Sequence, residues 1–202
     1  AAACGRLDIL EWLHEDVPGA FTEHDMDEAA YFGQLDAIKW LHRHRSEGCT
    51  LDAPYQAAST GNLEVVQWLH DHYSDSFSAC LMDGAATNGH LEVIRWLHEK
   101  RTEGCTTEAM DWAALNGHLD VMVWLLIHTT EGFSRDVVEA ETHVEIFNAV
   151  ANGHLDIVRW LHMVKGEKSS VQTVDKTAEN GYLEIAQWLH ESCPEGCSTR
   201  RH

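Results

Sequence analysis

Glycines stand at Gly5, Gly33, Gly61, Gly89, Gly117, Gly153 and Gly181, so the spacing is 28 residues five times and 36 once. A period of that length over the whole of a 202-residue chain describes a tandem array. A unit this small cannot bury its apolar face alone, so neighbours must stack. One further column absorbs seven of the eight tryptophans: Trp12, Trp40, Trp68, Trp96, Trp124, Trp160 and Trp188 each follow a glycine by seven residues.

The same register places leucine two residues after every glycine and an acid next: Asp8, Asp36, Glu64, Glu92, Asp120, Asp156 and Glu184. A carboxylate in the first turn complements the helix dipole and its free amides. Apolar residues three and four apart then give a helix with one broad buried face. Upstream of the later glycines runs a second helical pattern around paired small residues: Ala29 and Ala30, Ala57 and Ala58, Ala85 and Ala86, Ala113 and Ala114. Thr22, Thr50, Ser78, Thr106, Thr142 and Ser170 stand eleven residues before glycine, where a hydroxyl caps a helix start. Asn88, Asn116, Asn152 and Asn180 immediately precede glycine and suit a left-handed helix end. Each unit is therefore helix, tight turn, helix.

AMDWAALNGHLDVMVWLL, residues 109–126, resembles the ankyrin repeat without a gap, and the likeness extends over essentially the whole chain. It implies an all-α solenoid of stacked helix-turn-helix ankyrin-like repeats. The 28-residue period is shorter than the family's usual unit, and tryptophan replaces a leucine of the second helix. The shortfall lies where ankyrin units carry a β-hairpin finger, so short loops are expected instead. The chain reads as a single repeat domain over 1–202, with units at about 1–17 (partial), 18–45, 46–73, 74–101, 102–129, 130–165 (with an insertion), 166–193 and 194–202 (partial). It opens within a first helix and closes on EGCSTRRH, the start of another unit, and so reads as a segment of a longer array.

Seven identically placed indoles point to packing between repeats, and Trp96→Ala is expected to cost roughly 3–5 kcal/mol. Gly33, Gly61, Gly89, Gly117, Gly153 and Gly181 are structural in the same sense. A histidine column nine residues after glycine, His14, His42, His70, His98, His162 and His190, invites a metal ladder. Packed helices lie about 8–10 Å apart, too far for equivalent rings to share one ion. The expected role is a half-buried imidazole bonding free carbonyls near the helix end, with no metal and no cofactor. His90, His118 and His154, just after the turn glycine, read as structural too.

Of the six cysteines, Cys49, Cys105 and Cys197 share one repeat position and cannot meet in a disulfide. Reduced thiols and an intracellular location, cytoplasmic or nuclear, follow from that reading. Cys193 and Cys197 offer only weak metal spacing, and Cys4 and Cys80 read as small packing residues. Thirty-three acids against fourteen bases, a formal charge of −19, disfavour nucleic acid and anionic membranes as partners. No apolar run reaches the ~20 residues of a membrane span. No phosphate-binding loop, zinc-protease motif or serine-nucleophile motif is present, so no catalytic residue and no enzyme activity is expected.

The ankyrin resemblance implies binding of another protein on the concave face of the first helices. Departures from the repeat mark candidates there. Six residues before glycine stand Asp27, Tyr55, Asp83, Asp111, Phe147 and Asp175, and five before it Trp112 interrupts a polar or small column. Tyr31 and Phe32 extend this acidic and aromatic face, which suits a monomeric scaffold and a partner segment that is basic and partly apolar. The alternatives are a structural spacer or spring with no tight partner, and a pH- or metal-responsive element using the histidines. Eight extra residues between Gly117 and Gly153 enter after Ser134, expected as a lengthened first helix.

Overall fold

The computed structural model describes residues 1–17, 19–130, 149–165 and 171–192. It forms two compact units, Ala1–Ala109 and Met110–His202. Among the described residues there is no β-strand, and the all-α, stacked helix-turn-helix architecture expected from the period is the one observed.

In the first unit a 3₁₀ turn, Ala2–Cys4, precedes α1 (Leu7–Asp16), and three helix pairs follow: α2 (His24–Tyr31) with α3 (Leu35–His44), α4 (Asp52–Ser59) with α5 (Leu63–His72), and α6 (Cys80–Thr87) with α7 (Leu91–Lys100). First helices pack on first helices, α2 on α4 and α4 on α6, while α3 lies on α1 and α7 on α5. The second unit holds most of α8 (Thr107–Asn116), then α9 (Leu119–His128), α10 (Leu155–Lys165), α11 (Val171–Asn180) and α12 (Leu183–Ser192). There α11 pairs with α12, which also lies on α10.

Small residues make the first-helix rows possible. Ala29, Ala30, Ala57, Ala58, Ala85 and Ala86 have no exposed surface, so neighbouring backbones approach closely. The second helices contribute three inward positions per repeat: Ala37, Ile38 and Leu41, then Val65, Val66 and Leu69, then Val93, Ile94 and Leu97. Val121, Met122 and Leu125 repeat the pattern in α9, and Ile157, Val158 and Leu161 in α10. Tryptophan lies at the flank of this stripe, not within it. Trp40 is 8% exposed, Trp12 is 55% exposed, and Trp68, Trp96, Trp124, Trp160 and Trp188 are half-buried. The indoles are therefore unequally buried along the column, most at Trp40 and least at Trp12.

Each turn closes in one way. The amide after glycine bonds back to the first of the paired small residues: Gln34 to the Ala29 carbonyl at 2.8 Å, Asn62 to Ala57 at 2.9 Å, His154 to Ala149 at 2.8 Å. The glycine itself takes the left-handed conformation, at φ +76° for Gly61, whereas no non-glycine residue has positive φ among the described residues. Asparagine therefore does not supply the left-handed position. Asn88 and Asn180 instead bond carbonyls through Nδ2, to Gly84 at 3.1 Å and to Ala151 in the preceding repeat at 2.9 Å.

A second demand on the glycine comes from the next repeat. A Cβ on Gly61 would lie 2.6 Å from His90 Nδ1, and one on Gly33 2.5 Å from Asn62 Oδ1. Asn62 uses this proximity to bond the Tyr31 carbonyl at 3.2 Å, and His154 Nε2 lies 3.1 Å from the Leu115 carbonyl. Gly61→Ala is expected to cost at least about 1–2 kcal/mol from the left-handed backbone, with displacement of His90 in addition. Urea denaturation of the variant checks this, and an unchanged midpoint would refute the close-approach account.

The hydroxyl caps hold in part. Thr50 Oγ1 accepts the Asp52 amide at 3.0 Å and Thr106 Oγ1 the Glu108 amide at 3.2 Å, whereas at Thr22 the acceptor is Asp25, whose carboxylate takes the Thr22 amide at 2.9 Å. Thr142, Ser170 and the expected lengthened helix after Ser134 lie outside the described residues.

Candidate functional site

The candidate face is built on the first helices by side chains that leave the packed alanine row. On α2, Asp27 and Tyr31 are four residues apart and share one side of the helix. Tyr55 occupies the Asp27 position on α4, and Asp83 occupies it on α6. These three do different things.

Asp27 and Asp83 are buried, 6% and 8% exposed, and each carboxylate reaches forward into the next repeat. Asp27 accepts the Thr50 amide at 3.0 Å and the Thr50 hydroxyl at 2.9 Å. Asp83 accepts the Thr106 amide at 2.8 Å and hydroxyl at 2.9 Å. Burial pushes the Asp83 carboxyl above its usual range, against the two Thr106 bonds that favour its charge. As members of an open acidic surface these two positions are corrected: they lock joints between repeats.

Tyr55 also reaches forward, but with a ring. Its Cε2 would be 2.9 Å from a Cβ on Gly84, so the absence of a side chain there makes room for it, and Tyr55 still leaves 39% of its surface exposed. Beside it in the row, Tyr31 (45% exposed) and Phe32 (53% exposed) meet edge to face with ring centroids 4.9 Å apart. Asn62 holds the backbone of this pair through the Tyr31 carbonyl. In the second unit Trp112, on α8, is 45% exposed and Asp111 is half-buried. Phe147 lies outside the described residues.

On the second-helix side the histidines depart from expectation. Carbonyl bonds are made by a different column, eleven residues after glycine: His44, His72 and His128 each place Nδ1 2.8–2.9 Å from the carbonyl of the tryptophan one turn earlier. The expected column instead meets the tryptophan of the following repeat edge-on, His14 against Trp40 at 5.7 Å, His42 against Trp68 at 5.2 Å, His70 against Trp96 at 5.2 Å and His162 against Trp188 at 5.3 Å.

Between helices, Phe21 and Phe77 are buried under Arg45 and Arg101, whose guanidinium carbons sit 4.8 and 5.2 Å from the ring centroids. Each arginine also holds a carboxylate two residues on, Glu47 or Glu103. The intervening repeat has Cys49 at the phenylalanine position and Tyr73 at the arginine position. Cys49 is free, and burial, then Asp27, push its thiol up to about 12, so it is uncharged at neutral pH. Cys105 is buried, whereas Cys4 and Cys80 are exposed and so are not packing residues. Cys193 and Cys197 lie outside the described residues. Among the described residues no helix is long and apolar enough to cross a membrane.

Comparison with known proteins agrees with this construction. The family model for ankyrin repeats (3 copies) matches residues 26–103, and that for ankyrin repeats (many copies) matches residues 82–126. The crystal structure of the human ASB11 ankyrin repeat domain superposes with a TM-score of 0.57 at 17% identity, over 88% of this chain and 86% of that one. No curated protein matches the chain.

Proposed function

Because the chain belongs to the ankyrin-repeat family, we propose that it is a non-catalytic scaffold binding a protein partner on the first-helix face. Ankyrin repeats generally mediate protein–protein interactions. The observation that carries the reading for this chain is the exposure of Tyr31, Phe32 and Tyr55, at 39–53%, along the first-helix row of the first unit, and of Trp112, at 45%, on a first helix in the second.

Rigid aromatic rings give large contact area at small entropic cost. Glu28 and Asp52, exposed on α2 and α4, add negative charge to the same helices, and the whole chain carries −19. A partner segment with Lys or Arg beside apolar side chains fits this combination, the cations meeting both carboxylates and ring faces. Free thiols at Cys4, Cys49 and Cys80 support an intracellular setting.

The test is capture of a partner from a cell lysate by the intact chain, with mass-spectrometric identification, followed by affinity measurement on variants. Trp112→Ala and the double variant Tyr31→Ala, Phe32→Ala are expected to remain folded by circular dichroism. At least one is expected to weaken binding tenfold or more, about 1.4 kcal/mol. A partner held equally by all three proteins would refute this face.

A further inference from the structure

Along the second-helix side of the first unit, imidazoles meet in pairs taken from different repeat positions. The ring centroids of His14 and His44 are 6.1 Å apart, and those of His42 and His72 are 5.0 Å apart. The later ring of each pair is fixed by its own helix. His44 and His72 stack on Trp40 and Trp68 at 4.6 and 4.1 Å, with Nδ1 on the carbonyl of the same tryptophan. A carbonyl only accepts, so Nδ1 carries the proton of that bond.

The earlier ring faces the opposite situation. Arg45 Nη1 lies 3.4 Å from His14 Nδ1, and a guanidinium only donates, so this nitrogen offers a lone pair. A proton arriving there ends that bond and adds a positive charge beside Arg45, whose own carboxylate partner is Glu47, and beside the His44 ring; Glu11 and Glu15 are acids near it in sequence on α1. His42 is bordered by His72 and the Tyr73 hydroxyl, which is 2.9 Å from Nδ1, on the α5 side, and by Arg43 on its own helix. Tyr73 is itself raised by burial and by Cys49, so it stays neutral and supplies no counter-charge.

We propose that the pairs His14–His44 and His42–His72 form an acid-sensitive latch between successive repeats. Protonation of both rings of a pair places like charges side by side and loosens the seam. The element that moves is the edge contact of the earlier ring with the next tryptophan, Trp40 or Trp68. Burial, then His72 and Arg43, already push the His42 imidazole below its ordinary value. An imidazole lowered in the folded state is neutral where the unfolded chain, titrating near roughly 6.5, is already taking up protons. The unfolded state then binds more protons, so stability falls as pH drops through that window and is regained above it.

The experiment is a proton–carbon NMR titration of the imidazoles in the full chain, in wild type, His72→Gln and His72→Lys. Lysine stands at the equivalent position of another repeat, Lys100, so the fold tolerates it. The His42 titration is expected to move up in the glutamine variant and down in the lysine variant. In parallel, the urea midpoint is expected to fall between about pH 7.5 and about pH 5.5, and to fall less in the double variant His14→Gln, His42→Gln. A His42 titration that ignores both substitutions at His72, or an equal acid loss in the double variant, would overturn the latch.

Discussion

Trp40→Ala is expected to lower stability by about 3–5 kcal/mol, while Trp12→Ala at the same repeat position costs under about 1 kcal/mol. The difference lies entirely in surroundings. Trp40 is 8% exposed and meets His14 edge-on, Phe21 at 5.9 Å and the flat of His44 at 4.6 Å. Truncating it strips a large ring from three aromatic neighbours and leaves a cavity at the joint between α1 and α3. Trp12 has 55% of its surface in solvent, so little burial is lost with it. Urea denaturation followed by far-ultraviolet circular dichroism reports both, and half-buried Trp96 belongs between them. Equal losses for Trp12 and Trp40 would show that the column acts through helix propensity and not through its ring contacts.

Asp83→Ala is the second large effect, expected at about 2–4 kcal/mol, because a charged acceptor with two bonds disappears and the Thr106 amide loses its partner at a buried joint. Asp83→Asn keeps an acceptor oxygen of the same shape and is expected to cost under about 1 kcal/mol. The pH dependence distinguishes the charge from the shape. Burial raises the Asp83 carboxyl, so the stability gained by protonating it is fully present below the unfolded value of roughly 3.9 and is lost as pH rises through the folded one. Acidification toward about pH 4 should therefore shift the balance toward wild type relative to Asp83→Asn. A balance moving the other way would mean that the Thr106 bonds, and not burial, dominate the site. This acid response is opposite in sign to that of the histidine pairs.

The helices, their turns and the three inward positions of each second helix were legible because they depend on residues within one unit. Gly61 and the alanines before it, for instance, declare a turn from local chemistry alone. The joints were less legible because their partners sit at offsets that no single repeat displays. Asp27 meets Thr50, His14 meets Trp40, Gly33 meets Asn62 and His42 meets His72, and each pair joins different columns. Comparing like with like, as the histidine column invites, gives helix-to-helix distances and hides these closer contacts. Coupled changes carried the missing signal. Aspartate at positions 27 and 83 is followed 23 residues later by threonine, whereas Tyr55 is followed by Ser78 and, 29 residues on, by Gly84. Tyr31, Phe32, Tyr55 and Trp112 were visible as departures from a column, since exposed aromatics contradict the polar pattern around them. Asp27 and Asp83 were misread because an acid on a helix surface and an acid under a neighbouring loop have the same sequence appearance.

The alternation of joints has a consequence for array length. Asp27 and Asp83 stand 56 residues apart, as do Thr50 and Thr106, Phe21 and Phe77, and Arg45 and Arg101. The interchangeable cassette of the first unit is thus two repeats long. Excising residues 46–73 would set Asp27 against Ser78, which follows Tyr55 in the intact first unit, whereas excising residues 46–101 would return Asp27 to a threonine, Thr106, in the same register. Within the first unit, removing two repeats together keeps the aspartate–threonine joint, whereas removing one puts mismatched edges together.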